Sequence, residues 1–353
     1  MKVCSVIDTL HYGGAETLLL EITRRASFEH VVCYRRGQGE RMDEFDHAGA
    51  DVRSLKFSWQ YDVFGFERLA NVAKDADIIH SHLPASVIAG RIAGLRAGVP
   101  VVSTHHNMPS TYGMVSKTLE RATRDIEDLT IAVSNGVMEA HGGEDWEVIY
   151  NGIDVKEFSR RVSDSEWEVL REELSLDSSV TLLSIGRYTK QKSQRDLIEM
   201  MNRLSERGHD CHLLLVGSGP LEDELRRYAS ERGIEARVTI TGRVPDVAPY
   251  YGVADIFVSA SAQEGLPITF LEAMAAKLPI IATDIPGVRE IVLEGRTGLF
   301  ISHRDPEGLA DAVVGILGDV DAYGEAAYDR VEENFHINQT INEYEEVYRK
   351  LLQ

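Results

Sequence analysis

Cysteine, lysine and long apolar runs are what this sequence has little of, and each shortage excludes something. Only three cysteines, Cys4, Cys33 and Cys211, are spread over 353 residues. Their number is odd and none stand at a metal-ligand spacing. A disulfide framework and a cysteine-held metal are therefore excluded, and the three read as reduced, partly buried thiols. No stretch of 18 apolar residues occurs, which leaves no candidate membrane-spanning helix. The apolar start at residues 3–7 is too short for the core of a secretory leader, so the expected location is the cytoplasm. Lysine numbers 9 against 28 arginines, while Asp and Glu total 57, for a net charge of −20. That balance speaks against nucleic acid as a partner. For the surface it leaves two readings open, an ordinary acidic enzyme or a protein kept soluble in concentrated salt, where charge is strongly screened. The acidity is uneven: residues 1–163 carry 18 basic and 23 acidic side chains, and most of the negative charge lies beyond them.

What is present is an alternation of short apolar runs with helical stretches, the pattern of parallel α/β layers. In the first half the strand candidates are residues 3–7, 30–34, 52–55, 78–80, 101–104, 129–133 and 148–149, with helices such as 15–25 and 86–97 between them. The second half repeats the scheme at 181–185, 212–216, 238–241, 256–258, 280–282 and 299–301. The expectation is two Rossmann-like domains in series, residues 1–160 and 161–336, joined in the polar stretch 159–165. A final amphipathic helix follows within 337–353. Neither an internal repeat nor a low-complexity tract is evident.

The most informative stretch is Glu264-Gly265-Leu266-Pro267-Ile268-Thr269-Phe270-Leu271-Glu272. Glu264 ends a loop behind the apolar strand at 256–258, the Gly-Leu-Pro turn reverses direction, and Glu272 falls about one turn inside the helix that follows. Two acids and a helix N-terminus thus meet at the carboxyl end of a strand. Amides at a helix start favour phosphate, while carboxylates accept hydrogen bonds from hydroxyls. A ligand with both a diphosphate and many hydroxyls, such as a nucleotide-sugar, satisfies both.

Other residues carry competing readings. Gly13-Gly14 closes strand one and opens a helix, without the lysine of a P-loop; by itself it is a tight turn, and Glu16 suits the helix N-terminus through the dipole. His80, His82, His105 and His106 all follow apolar strands, where open α/β sheets place ligands, and no third ligand at a suitable spacing marks them as a metal site. For His80 and His82, a capped strand end and an acceptor contact both remain open. Asp75-Ala76-Asp77 precedes a strand rather than following one and reads as a turn. Arg187 and Lys192 lie just past the strand at 181–185, as a phosphate-binding pair or as two solvated cations. Arg24-Arg25 and Arg35-Arg36 read either as a solvated face or as a patch for peripheral contact with anionic lipid at the inner face of the membrane.

Taken in order, these motifs resemble the retaining glycosyltransferases of family 4, which have the GT-B fold. Glu264 and Glu272 match that family's Glu-x7-Glu signature. Gly13-Gly14-Ala15-Glu16 resembles its N-terminal glycine loop, and Gly186-Arg187 with Lys192 its diphosphate-binding pair. Gly217-Ser218-Gly219-Pro220 and Pro286-Gly287-Val288-Arg289-Glu290 match further loops, and Thr104-His105-His106-Asn107 resembles the Thr-x-His-Asp/Asn loop. The likeness runs from residue 13 to about residue 298.

The resemblance implies two Rossmann-like domains facing across a cleft that closes on the substrate, with the last helix crossing back to the N-terminal domain. It implies a hexosyl- or N-acetylhexosaminyl-transferase, metal-independent and without a cofactor beyond its donor, that moves sugar from a nucleoside-diphosphate sugar to a carbohydrate or lipid-linked acceptor. Surface polysaccharide, glycolipid and glycan assembly are the expected settings. Glu264, Arg187, Lys192 and His106 would carry catalysis. Gly13, Gly14, Gly186, Gly217, Gly219, Leu266, Pro267, Ile268, Thr269 and Glu272 would bind the donor, and His82 and His105 would face the acceptor. Two rivals share this expectation of fold: a nucleotide-sugar epimerase and a non-catalytic nucleotide-sugar-binding subunit.

Overall fold

The apolar run at the start of the chain becomes the middle of a parallel sheet. Lys2–Ile7 (β1) lies between Glu29–Tyr34 (β2) and Ile78–His82 (β4), and five of its six residues are buried. Strands covered on both faces by helices are apolar throughout rather than alternating, which is why the sequence reads as short solid blocks. The computed structural model describes residues 1–162, 166–174 and 176–353. It divides into two compact units, one formed by residues 1–152 with 337–353 and the other by residues 153–336.

The first unit completes its sheet with Asp51–Ser54 (β3), Val101–His105 (β5), Leu129–Ala132 (β6) and Glu147–Val148 (β7). The order is β3-β2-β1-β4-β5-β6-β7, all parallel. The second unit contains Val180–Ile185 (β8), Cys211–Val216 (β9), Val238–Ile240 (β10), Ile256–Ser259 (β11), Ile280–Thr283 (β12) and Gly298–Ile301 (β13), in the order β10-β9-β8-β11-β12-β13 and again all parallel. Both sheets wind outward from their first strand and then resume on its other side. Each therefore has a reversal point, between β1 and β4 in one unit and between β8 and β11 in the other. Crevices outside the carboxyl ends of strands at such points are where open α/β sheets hold ligands.

The expected boundary at residue 160 falls too late. The helix Val155–Val162 belongs to the second unit: Phe158 stands edge-on to Tyr251 at 5.3 Å, and Ser159 Oγ donates to the Ala275 carbonyl at 2.8 Å. Of the expected join, residues 163–165 lie outside the described residues. The helix Ile337–Leu351 is part of the first unit, with Tyr344 and Tyr348 fully buried and Glu345 accepting from the Ser27 amide and hydroxyl, each at 2.8 Å. Asp77 is a turn residue, its carboxylate accepting from the Lys2 amide at 2.7 Å. Among the described residues no helix is long and apolar enough to cross a membrane.

Candidate active site

In the second unit four loops meet at the carboxyl ends of neighbouring strands. The loop after β8 carries Gly186, Arg187 and Lys192, and the loop after β11 carries Glu264. They bracket the reversal point, and Lys192 Nζ reaches Glu264 Oε1 across it at 2.5 Å. Backbone and side chain reinforce that pairing: the Ala262 amide donates to the Gln191 carbonyl at 2.8 Å, and Gln191 Nε2 donates to the Gln263 carbonyl at 2.9 Å. Glu264 is buried and Lys192 half-buried, whereas Arg187 is exposed beside them. The loop after β8 thus carries a rigid cation fork and, five residues on, a point charge that reaches the Glu264 loop.

The glycines act by letting backbone approach backbone. Gly217 has φ +140°, and a Cβ there would lie 2.2 Å from the Gly186 carbonyl oxygen; one on Gly219 would lie 2.4 Å from the Tyr188 carbonyl oxygen. The loop after β9 is therefore pressed onto the loop that carries Arg187. Gly287 does the same for the Glu264 loop, since its Cβ would stand 2.0 Å from the Gly265 carbonyl oxygen. Gly217→Ala should lower unfolding stability by about 2–4 kcal/mol, through strain at positive φ and overpacking. Gly186→Ala should stay near wild type, because its Cβ would meet only the flexible end of Lys192, at 3.5 Å. Denaturant unfolding of both variants checks this, and equal losses would show that the contact does not hold the loops.

Leu266, Pro267 and Ile268 are buried, and the helix Ile268–Ala275 starts directly behind them, with Thr269 half-buried in its first turn. Glu272 lies on that helix as the spacing predicts. Its Oε2 accepts from the Tyr251 hydroxyl at 2.7 Å, which fixes the carboxylate's orientation. Burial raises the Glu272 pKa, against a lowering by Tyr251 and by Arg161. Sequence reasoning missed Tyr251; it comes from a separate helix, Ala248–Gly252, and nothing in its local pattern marks it.

The first unit holds a second cluster at its own reversal point. Asp8 follows β1, and its Oδ1 accepts from Ser86 Oγ at 2.6 Å and from Arg35 Nη1 at 2.8 Å. Asp8 lines a cavity of about 250 Å³ together with Gln60, Asn107, Thr111, Tyr112 and Ser116. Asp8 too was missed, although an acid directly after the first strand was a usable signal. Gly13 precedes the helix Gly14–Arg25, and the buried Glu16 folds back over it, so a Cβ on Gly13 would sit 2.5 Å from Glu16 Oε2. Burial raises the Glu16 pKa.

The histidines divide by strand face. His106 is half-buried, and its Nε2 pairs with Nδ1 of the fully buried His82 at 3.0 Å; burial holds His106 down to about 4, hence neutral near pH 7. His80 is part of β4 and is claimed from within, with Nδ1 2.5 Å from the Tyr348 hydroxyl and Nε2 2.7 Å from Thr104 Oγ1. His82 is therefore closed off from solvent, with its Nδ1 taken by His106. His105 is a correction. Strand alternation turns it to the other face, where it is buried 4.8 Å from Trp146 and 4.6 Å from His141.

That face brings His105, Glu120 and His141 within 4.8 Å of one another, a group that spacing along the chain does not reveal. Glu120 already accepts from Arg124 at 3.1 Å and lies 3.5 Å from Arg91. Two guanidinium charges there oppose a metal ion. The Arg pairs also change meaning. Arg35 is fully buried on Asp8, leaving Arg36 as the exposed member of that pair, and Arg24 and Arg25 share Glu21 at 2.8 and 2.9 Å.

Comparison with known families decides the kinship. Residues 12–157 match the family described as Glycosyltransferase Family 4, and residues 179–319 match Glycosyl transferases group 1. The chain belongs to glycosyltransferase family 4. Among curated relatives of this glycosyltransferase, N-acetyl-alpha-D-glucosaminyl L-malate synthase of Bacillus anthracis is 28% identical over 311 residues, 83% of this chain and 80% of that protein. A GDP-mannose-dependent alpha-(1-6)-phosphatidylinositol monomannoside mannosyltransferase of Mycobacterium tuberculosis is 28% identical over 335 residues, 88% of this chain and 86% of that one. Among solved structures, HepE of Anabaena in complex with UDP and glucose shares the fold at a TM-score of 0.88 and 20% identity, covering 98% of this chain and 99% of its own. The GT-B architecture of this family 4 glycosyltransferase follows from that likeness and from its two parallel sheets.

Proposed function

We propose that this glycosyltransferase moves a hexose or N-acetylhexosamine from a nucleoside-diphosphate sugar to an acceptor hydroxyl, with retention of anomeric configuration and without a metal ion. The observation that carries the reading is the Lys192–Glu264 pair across the reversal point of the second sheet, with Arg187 on the same loop as Lys192 and a helix start behind Glu264. On donor binding, Arg187 and Lys192 neutralise the diphosphate, and the amides near Leu266 to Thr269 add to them. Glu272 accepts the ribose hydroxyls, and Glu264 holds donor-sugar hydroxyls. The anomeric carbon–phosphate oxygen bond breaks as the acceptor oxygen bonds to that carbon. The acceptor proton passes to the departing diphosphate oxygen, so Glu264 forms no covalent bond. His106, neutral and oriented by His82, is the hydrogen-bonding group that the first unit offers the reaction.

The relatives named above act on acceptors as unlike as malate and a phosphatidylinositol glycan. Kinship therefore supports sugar transfer and leaves acceptor and donor base to experiment. It does not favour an epimerase, which product analysis separates directly: epimerised sugar against transferred sugar. A panel of nucleoside-diphosphate sugars scored by thermal shift should single out the donor, since a ligand at 100 times its Kd stabilises by about 2.7 kcal/mol. Transfer with that donor should persist in EDTA. Complete loss in EDTA, restored by magnesium or manganese, would overturn the metal-free reading.

A further inference from the structure

The two oxygens of the Glu272 carboxylate are not equivalent. Oε2 accepts from the Tyr251 hydroxyl at 2.7 Å. Among the described residues Oε1 has no partner, and it is not sealed from solvent, since the side chain is half-buried. One oxygen is therefore fixed by the protein and the other is left for a ligand.

The fixing group is itself held from several sides. Tyr251 is fully buried, edge-on to Phe158 at 5.3 Å and stacked on Phe257 of β11 at 6.2 Å; Phe257 in turn meets Phe270 edge-on at 5.3 Å. A ring packed this closely has one place to put its hydroxyl. That hydroxyl also lies 3.3 Å from the Thr269 carbonyl, so it ties down the first turn of the helix that carries Glu272. Burial keeps Tyr251 protonated, and both of its neighbours are acceptors, so its single proton is directed at the carboxylate end of that turn.

Charge supports the same arrangement. Asp246 Oδ1 accepts from the Ala248 amide at 3.0 Å, anchoring the helix Ala248–Gly252 on which Tyr251 stands, and from Arg161 Nη2 at 2.7 Å. Arg161 and Phe158 share one face of the helix Val155–Val162, which thus supports both the ring and the charge. The charged groups facing Glu272 are Arg161, which favours the ionised carboxylate, and Asp246, which opposes it. An ionised carboxylate is an acceptor alone, and the two hydroxyls of a ribose offer it two donors.

We infer that Tyr251 is a positioning residue: its hydroxyl locks Oε2 of Glu272 and turns Oε1 to the ribose, so that this carboxylate selects ribonucleoside over 2′-deoxyribonucleoside diphosphates. The inference rests on the reading of Glu272 as the group that accepts ribose hydroxyls, and it adds the residue that makes that contact selective.

Calorimetric titration of UDP, GDP and ADP, each beside its 2′-deoxy counterpart, tests it. Wild type should favour the ribonucleotide by about 10–100-fold, the ratio set by a hydrogen bond to a charged group. Tyr251→Phe keeps the ring and its packing. Its preference should shrink to about threefold or less, through weaker binding of the ribonucleotide with the deoxynucleotide nearly unchanged. In a Glu272→Gln background the same replacement should change the ratio no further, because the two residues act as a unit. An unchanged ratio in Tyr251→Phe, or affinities for both sugars that fall in step, would overturn the inference and leave the role of Glu272 standing. If Tyr251→Phe does not fold, Arg161→Gln decides instead. At that exposed site it should narrow the ratio by about two- to fivefold, the worth of an exposed ion pair, and no change there would overturn the inference. A wild type that binds both sugars equally, or none of these nucleotides, would remove the ribose role of Glu272 itself, and the inference with it.

Discussion

Arg187→Ala lowers turnover by about 10²–10³-fold while donor affinity stays within a few-fold of wild type, if the guanidinium meets charge that grows as the diphosphate departs. Removing one preorganised donor from a developing oxyanion costs about 2.7–4 kcal/mol on this scale. Lys192→Ala should cut turnover similarly but carry a second effect. Its partner Glu264 is buried, so losing the ammonium at 2.5 Å leaves a carboxylate without its counter-charge and lowers the melting temperature as well. Arg187 is exposed, and its replacement should leave the melting temperature unchanged. Glu272→Ala behaves differently again. Ribose contacts change little along the reaction, so affinity for the nucleoside diphosphate falls first and turnover at saturation falls less. Initial rates with calorimetric titration of the nucleoside diphosphate separate the three. Equal losses of binding alone in all three variants would leave the fold intact and the division of labour wrong.

Mild acid should unfold the first unit before the second. Burial holds His80 down to about 3 and His30 and His106 down to about 4, and it pushes His82 and His105 well below the ordinary imidazole range. Unfolded histidines titrate near 6.5. Between that value and about 4 the unfolded chain binds more protons than the folded one, so stability is full above about pH 6.5 and falls as pH drops through this window. Each pKa displacement of one is worth about 1.4 kcal/mol, so several such histidines weigh appreciably against a domain stability of about 5–15 kcal/mol. Among the described residues of the second unit, only His212 is displaced this way. Its Glu272, Asp255 and Asp196 are raised by burial, so folding takes up protons there and acid stabilises those groups. Hydrogen exchange read peptide by peptide at about pH 7 and about pH 5 should show protection lost mainly in residues 1–152. Equal losses in both units would refute the assignment.

Much of this architecture was legible along the chain, and what was not has a physical reason. Parallel strands buried on both faces announce themselves as short apolar blocks, and all thirteen expected blocks are strands. Glu264 and Glu272 were visible because helix pitch fixes their relation locally. Lys192 with Glu264 was not, because the pair joins loops 72 residues apart and depends on strand order. Tyr251 and Tyr348 escaped for the same reason, each being a helix residue whose partner arrives from elsewhere. His105 was misread because adjacent residues of one strand serve opposite faces, and the sequence does not say which face holds the ligand. The boundary slipped because Val155–Val162 looks like a linker until Phe158 is seen against Tyr251.

The order in which the ribosome delivers this chain does not match the order in which its parts are finished. One unit is contiguous, residues 153–336, and has every strand it needs as soon as that stretch emerges; the other starts first and ends last. Until Tyr348 leaves the exit tunnel, the nascent sheet of residues 1–152 has no hydroxyl for His80 and no aromatic cover for that face. The earlier-born half thus waits, partly unsheathed, through the synthesis of an entire second domain, an interval of roughly ten seconds or more at about 5–20 residues per second. A chaperone that shelters exposed apolar strands would find its client there, in the half that was made first.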